Sequence, residues 1–113
     1  MTDLKSEPSV DIKKTVLGLI LSGRPEEGLA VLSSFYGVAT PRLAIGTLKR
    51  HRKVAALYDG SCGVIYLSSN AFLNDPFVIL HEFYHHLRSR SGKHRGTEKY
   101  ADGYALSFIQ SIK

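Results

Sequence analysis

The sequence predicts an α+β domain: two helices, a small three-stranded sheet, then two more helices. Three observations carry that prediction. Apolar residues recur at helical spacing before residue 37 and again after residue 76. Between these stretches lie short runs rich in β-branched and aromatic residues, punctuated by glycine and a basic segment. The chain has 113 residues, 43% hydrophobic and 22% charged, which is the composition of one folded domain spanning 1–113 and not of a disordered chain.

Residues 1–9 are polar, contain one proline and are expected to be loose. Ile12, Val16, Leu17, Leu19, Ile20 and Leu21 give Val10 to Leu21 a helical pattern, and Gly23 is a stop signal. Pro25 suits the first position of a second helix, with Glu26 and Glu27 in its acid-favouring first turn. Leu29, Val31, Leu32, Phe35 and Tyr36 make its apolar face, and Gly37 ends it. Arg42 to Gly46 and Val54 to Tyr58 read as short strands. Asp59-Gly60 is a turn signal, and Gly63 to Ser69 is the strongest strand, so the last two runs are expected to pair antiparallel. Asn74 or Asp75 then caps a helix that Pro76 opens and that runs to about Arg88. Its expected core stripe is Phe77, Leu80, Tyr84 and Leu87. From about Thr97 a last helix carries Ala101, Tyr104, Ala105, Phe108, Ile109 and Ile112 at helical spacing.

The chemistry lies on the last two helices. His81 and His85 are four apart, so both imidazoles lie on one helix face and can reach a single ion. Glu82 sits about 100° further round the axis, close enough to act beside the ion without occupying it. Zinc polarises a water and a carbonyl; Glu82 can accept the water's proton and pass it to a leaving amine. A catalytic zinc takes three protein ligands, and Glu98, thirteen positions after His85 across a loop, is placed to be the third. Asp102, one turn on from Glu98, is placed to hold the free ring N–H of a ligand histidine. The competing reading is a polar helix face with solvated His and Glu. Against it stand the apolar Phe77-Val78-Ile79-Leu80 before the motif and the available third ligand. His86 points away from His85, and His51 and His94 lie in basic stretches where solvation is the simpler reading. Arg88 and Ser91 stand where a metzincin would need glycine and histidine, which excludes that variant.

Charge and cysteine usage bound the setting. Cys62 is the only cysteine, which allows no internal disulfide and leans towards a reducing compartment. No signal peptide and no membrane-length apolar run is evident, so a cytoplasmic location is expected. The formal net charge is +5. Lys49, Arg50, Arg52 and Lys53 surround His51; Arg88, Arg90, Lys93 and Arg95 surround His94. Such clusters can attract nucleic acid or be two solvated loops. An alternative to the enzyme is therefore a zinc-containing regulatory or nucleic-acid-associated protein without peptidase activity. Glu82 discriminates: a structural zinc has no need of a base beside its ligands and is usually closed by a fourth.

The residues His81-Glu82-x-x-His85 and Glu98-x-x-Ala101-Asp102-x-x-Ala105 resemble the gluzincin metallopeptidases, most of all the minigluzincins. They are similar too to ImmA/IrrE-type peptidases and to the catalytic cores of membrane-integral gluzincins. The resemblance covers about Gly63 to Phe108. It implies a minimal zincin-like fold with an active-site helix and a C-terminal glutamate helix. It implies a zinc endopeptidase acting on peptide or protein substrates, as monomer or homodimer, with His81, His85 and Glu98 as zinc ligands, Glu82 as base and Asp102 behind a ligand. It also implies that Gly63, Val64, Ile65, Tyr66, Leu67 and Ser68 form an edge strand that pairs with extended substrate. Departures are a chain too short for a second lobe and no evident oxyanion donor beyond Tyr100, Tyr104 or Arg95. An open cleft of that kind implies low activity or latency.

Overall fold

The computed structural model describes residues 7–46, 54–90 and 98–111. The elements are α1 (Val10–Leu21), α2 (Pro25–Tyr36), β1 (Arg42–Ile45), β2 (Ala56–Asp59), β3 (Val64–Leu67), a 3₁₀ helix (Asn70–Asn74), α3 (Pro76–Arg90) and α4 (Glu98–Gln110). The expected α+β class and the order of elements hold. The basic stretch around His51, most of the one around His94, and residues 1–6 of the expected loose segment 1–9 fall outside the described residues. The rest of that segment is held: Glu7 pairs with Lys13, Pro8 is buried and Ser9 caps α1.

Local chemistry sets the boundaries. The Ser9 hydroxyl accepts from the Ile12 N–H at 3.2 Å and caps α1. Pro25 starts α2, and Gly37, at φ 72°, ends it in the left-handed conformation that a side chain would resist. Asp75 accepts from the Val78 N–H at 3.3 Å and caps α3. The turn between β2 and β3 is held by Asp59, whose Oδ1 accepts from the Ser61 N–H at 3.0 Å and from the Ser61 hydroxyl at 2.7 Å. Gly63, at φ 67°, returns the chain into β3.

The sheet order is β1-β3-β2, with β1 parallel and β2 antiparallel to β3. The expected antiparallel pair of β2 and β3 is present. The expected edge is not: β3 lies in the middle, with Arg42 N–H bonded to the Gly63 carbonyl on one side and Ser68 N–H bonded to the Ala55 carbonyl on the other. Both of its hydrogen-bonding edges are spent on neighbours. Gly63, Val64, Ile65, Tyr66, Leu67 and Ser68 therefore cannot receive a substrate strand. Val64, Ile65 and Leu67 are buried, as befits an interior strand with an unbroken apolar run.

One core joins the helices to the sheet. Val16, Leu17 and Ile20 of α1 and Leu29, Leu32 and Tyr36 of α2 meet Ile65 and Leu67 of β3 and Ala105 and Phe108 of α4. The buried face of α3 is Ile79, Leu80, Phe83 and Leu87, shifted from the expected stripe, because Phe77 and Tyr84 are only half-buried. That shift has a consequence for the motif. With Ile79 and Phe83 turned into the core, His81, Glu82 and His85 are carried to its rim, on the side of α3 that packs against α4 and β2.

Candidate metal centre

Helix α3 supplies His81 and His85 one turn apart, and their rings lie 5.1 Å apart between centroids. Helix α4 packs against α3 and brings Glu98, in its first turn, across the two rings. One ligand atom from each of His81, His85 and Glu98 lies within 4.8 Å of the others. The individual approaches are 2.6 Å from His81 Nε2 to Glu98 Oε1 and 3.2 Å from His85 Nε2 to Glu98 Oε2.

The second of these is an ion-pair distance without the angles of a hydrogen bond. His85 Nε2 is accordingly buried and has no hydrogen-bond partner. A buried polar atom without a partner costs about 1–3 kcal/mol, so its presence in the centre of the cluster calls for an occupant. A metal ion is one that two imidazole nitrogens and a carboxylate oxygen suit. The residues present thus fit a divalent cation, and the cluster is able to coordinate one. Burial holds the His85 imidazole below the usual histidine range, countered by Glu98 and reinforced by His81. The neutral ring is the form that ligates.

Asp102, one turn beyond Glu98, places Oδ1 2.8 Å from His81 Nδ1. Both ring nitrogens of His81 therefore face carboxylates, Nδ1 that of Asp102 and Nε2 that of Glu98. A carboxylate behind Nδ1 would orient the ring for an ion on Nε2.

Glu82 stands outside the triad and lines the cavities on both sides of it. Its carboxyl is pushed up to about 7 by burial first, with Glu98 adding to the rise and His81 opposing it. The nearby Tyr58 backbone pulls weakly the other way. One cavity, of 510 Å³, is lined by Ala56, Tyr58, Gly60, Glu82, His85 and Ser89. The other, of 320 Å³, is lined by Ala55, Phe77, Val78, His81, Glu82 and Asp102. Together they form a cleft along β2.

No family model, no curated protein and no solved structure matches the chain. The site therefore rests on its own geometry.

The strand that borders this cleft is β2, which the sequence reading did not single out. The Ser68–Ala55 hydrogen bond fixes the alternation: residues 55, 57 and 59 bond inward to β3, so Ala56 and Tyr58 turn their N–H and C=O groups to the outer edge, which no strand pairs with among the described residues. A signal was available in the sequence. Val64-Ile65-Tyr66-Leu67 is apolar on both faces, the mark of an interior strand, whereas Ala56-Leu57-Tyr58-Asp59 is mixed. The suggested oxyanion donors do not converge on the cluster either. Tyr104 pairs its hydroxyl with that of Tyr36 at 3.1 Å, and Tyr100 is 63% exposed. Both line a separate cavity of 310 Å³ with Glu7 and Lys13. Arg95 lies outside the described residues.

Proposed function

We propose that this chain is a zinc-dependent peptidase, with His81, His85 and Glu98 as ligands and Glu82 as general base. The observation that carries the reading is a buried, unpartnered His85 Nε2 facing Glu98 and His81, with a carboxyl group beside the triad and not within it. Two neutral nitrogens and one carboxylate are the donor set of a catalytic zinc, which keeps a position open for chemistry. When bound, zinc supplies Lewis acidity towards a water and towards the substrate carbonyl.

The residues of the chain do the remaining work. Asp102 holds His81 in the ligating tautomer. Glu82, in a poorly solvated position that raises its proton affinity, takes a proton from the attacking water and returns it to the departing amine. The free edge of β2 supports an extended substrate as an added strand. Ala56 and Tyr58 each turn N–H and C=O to such a strand. The gluzincin likeness of the two motifs agrees with these roles and adds no separate weight to them.

Among the described residues no helix is long and apolar enough to cross a membrane. The basic-loop alternative gains no observation here, because the clusters around His51 and His94 lie mainly outside the described residues. The test is a metal analysis joined to an assay. The purified protein should bind about one zinc per chain, His85→Ala should lose it, and the zinc-loaded protein should cleave an unfolded protein such as casein. Zinc retained in full by a His81→Ala, His85→Ala double variant would end the assignment.

A further inference from the structure

His86 has no part in the triad, yet it is 1% exposed in the middle of the active-site helix. Its two ring nitrogens are both engaged. Nε2 lies 2.7 Å from the Ala39 carbonyl oxygen, and Nδ1 lies 2.8 Å from the Tyr58 hydroxyl. A carbonyl only accepts, so Nε2 carries the proton and Nδ1 accepts from the Tyr58 hydroxyl. The ring is thereby a fixed connector between the segment before β1 and the β2 edge strand. The Tyr58 ring also stands edge-on to the imidazole, 5.3 Å between centroids.

Tyr58 also lines one cavity with Glu82. Glu82 and His86 are four apart, so they share a face of α3, the one that packs against β2. One residue of the edge strand is therefore gripped by its side chain from the helix turn that follows Glu82. The phenolic proton is spent on His86, which removes Tyr58 from the candidates for contacting a substrate carbonyl oxygen.

We propose that His86 is a positioning residue: by holding the Tyr58 side chain it clamps β2 to α3 and so fixes the distance between the β2 edge and the metal cluster. This rests on the peptidase reading for its catalytic consequence, though the clamp itself does not. The clamp ties the strand that lines the cleft to the helix that carries Glu82. Strand addition and general-base geometry become coupled through a single tyrosine.

The test uses the full-length, zinc-loaded chain and two variants, His86→Phe and Tyr58→Phe. Amide hydrogen exchange followed residue by residue should show the β2 amides of Leu57, Tyr58 and Asp59 exchanging about tenfold faster in either variant, the equivalent of one lost hydrogen bond between strand and helix. Zinc content should stay at the wild-type level, because the ligand face of α3 is a different one. On casein, kcat should fall about tenfold or more with KM changed far less, as loss of orientation behind a reacting group does. A merely structural histidine would lower thermal stability and leave the β2 amides and kcat of the folded protein alone; that result overturns the proposal. So does loss of zinc as complete as in His85→Ala. Where His86→Phe fails to fold, Tyr58→Phe decides, since it removes one oxygen and keeps the ring and the main chain. If the wild type cleaves nothing, the peptidase reading falls, and the exchange of the β2 amides still judges the clamp.

Discussion

Glu82→Gln separates the energetic burden of the proposed base from its chemistry. Burial lifts the Glu82 carboxyl from 4.5 to about 7, so the folded, metal-free protein holds this proton over a range where the unfolded chain has released it. The sign follows. A group raised in the folded state contributes stability that is fully present below 4.5 and is lost as pH rises through about 7. At about 1.4 kcal/mol for each tenfold in proton affinity, the loss comes to about 3 kcal/mol at pH 8, less whatever its residual contact with solvent screens away. Glutamine has nearly the same shape and carries no charge. In EDTA at pH 8, Glu82→Gln should therefore melt higher than the wild type, by about 10 °C for a domain of this size. Near pH 4.5 the two should melt close together. With zinc restored, the variant should keep the ion and lose about 10²–10⁴ in hydrolysis. Scanning calorimetry across pH and a casein assay suffice. Equal melting temperatures at pH 8 and pH 4.5 would refute the claim that Glu82 is a desolvated base, and undiminished hydrolysis would refute its catalytic role.

Three further outcomes follow from the same geometry. Glu98→Ala should weaken zinc binding outright, whereas Asp102→Asn should cost about 10–100-fold in zinc affinity or activity, both measurable by competition with a chromophoric chelator. Ala56→Pro removes an N–H that faces the free edge and no rung of the β2–β3 ladder, so it should raise KM for an extended peptide while the fold and zinc persist; Tyr66→Pro, in the central strand, should unfold the domain. Tyr36 and Tyr104 both hold their protons above the ordinary value of 10.0, chiefly through burial. Stability should fall as pH climbs past that value, and an ultraviolet titration should show two late tyrosinates that appear only with unfolding.

How far the sequence spoke for itself depended on whether a feature was local. Helix starts and stops are written in single residues, and Pro25, Gly37 and Asp75 mark them in the folded chain as short-range rules expect, whereas Ser9, expected in a loose segment, caps α1. The histidine pair needs only the pitch of one helix. Glu98 and Asp102 required the added step that α4 folds back on α3, and the loop between them left that open. The strand order was not legible, because a parallel β1–β3 pair is fixed by the crossover of the chain and not by any residue near Arg42. Reading β3 as the edge confused the strongest strand with the most accessible one. His86 was set aside as a bystander because only its angle from His85 was visible. Its partners, Ala39 and Tyr58, are 47 and 28 positions away.

The faces of α3 explain why so short a chain can hold a site at all. Ile79, Leu80, Phe83 and Leu87 bind the helix to the core, and that face is fully out of water or nearly so. Each such side chain contributes about 1.5–3 kcal/mol on burial, enough together to offset the cost of desolvating Glu82 by about 3 kcal/mol. A second face turns His81 and His85 towards α4, where Glu98 and Asp102 meet them. The third turns Glu82 and His86 towards Tyr58. Shifting the helix by one residue would move all three sets at once, so the apolar face that fixes its rotation fixes the ligands and the base with it. It follows that a volume-changing substitution such as Phe83→Ala, which touches no ligand, should weaken zinc binding along with stability. Zinc affinity unchanged in a destabilised but folded Phe83→Ala would show that the site is held from α4 and β2 alone.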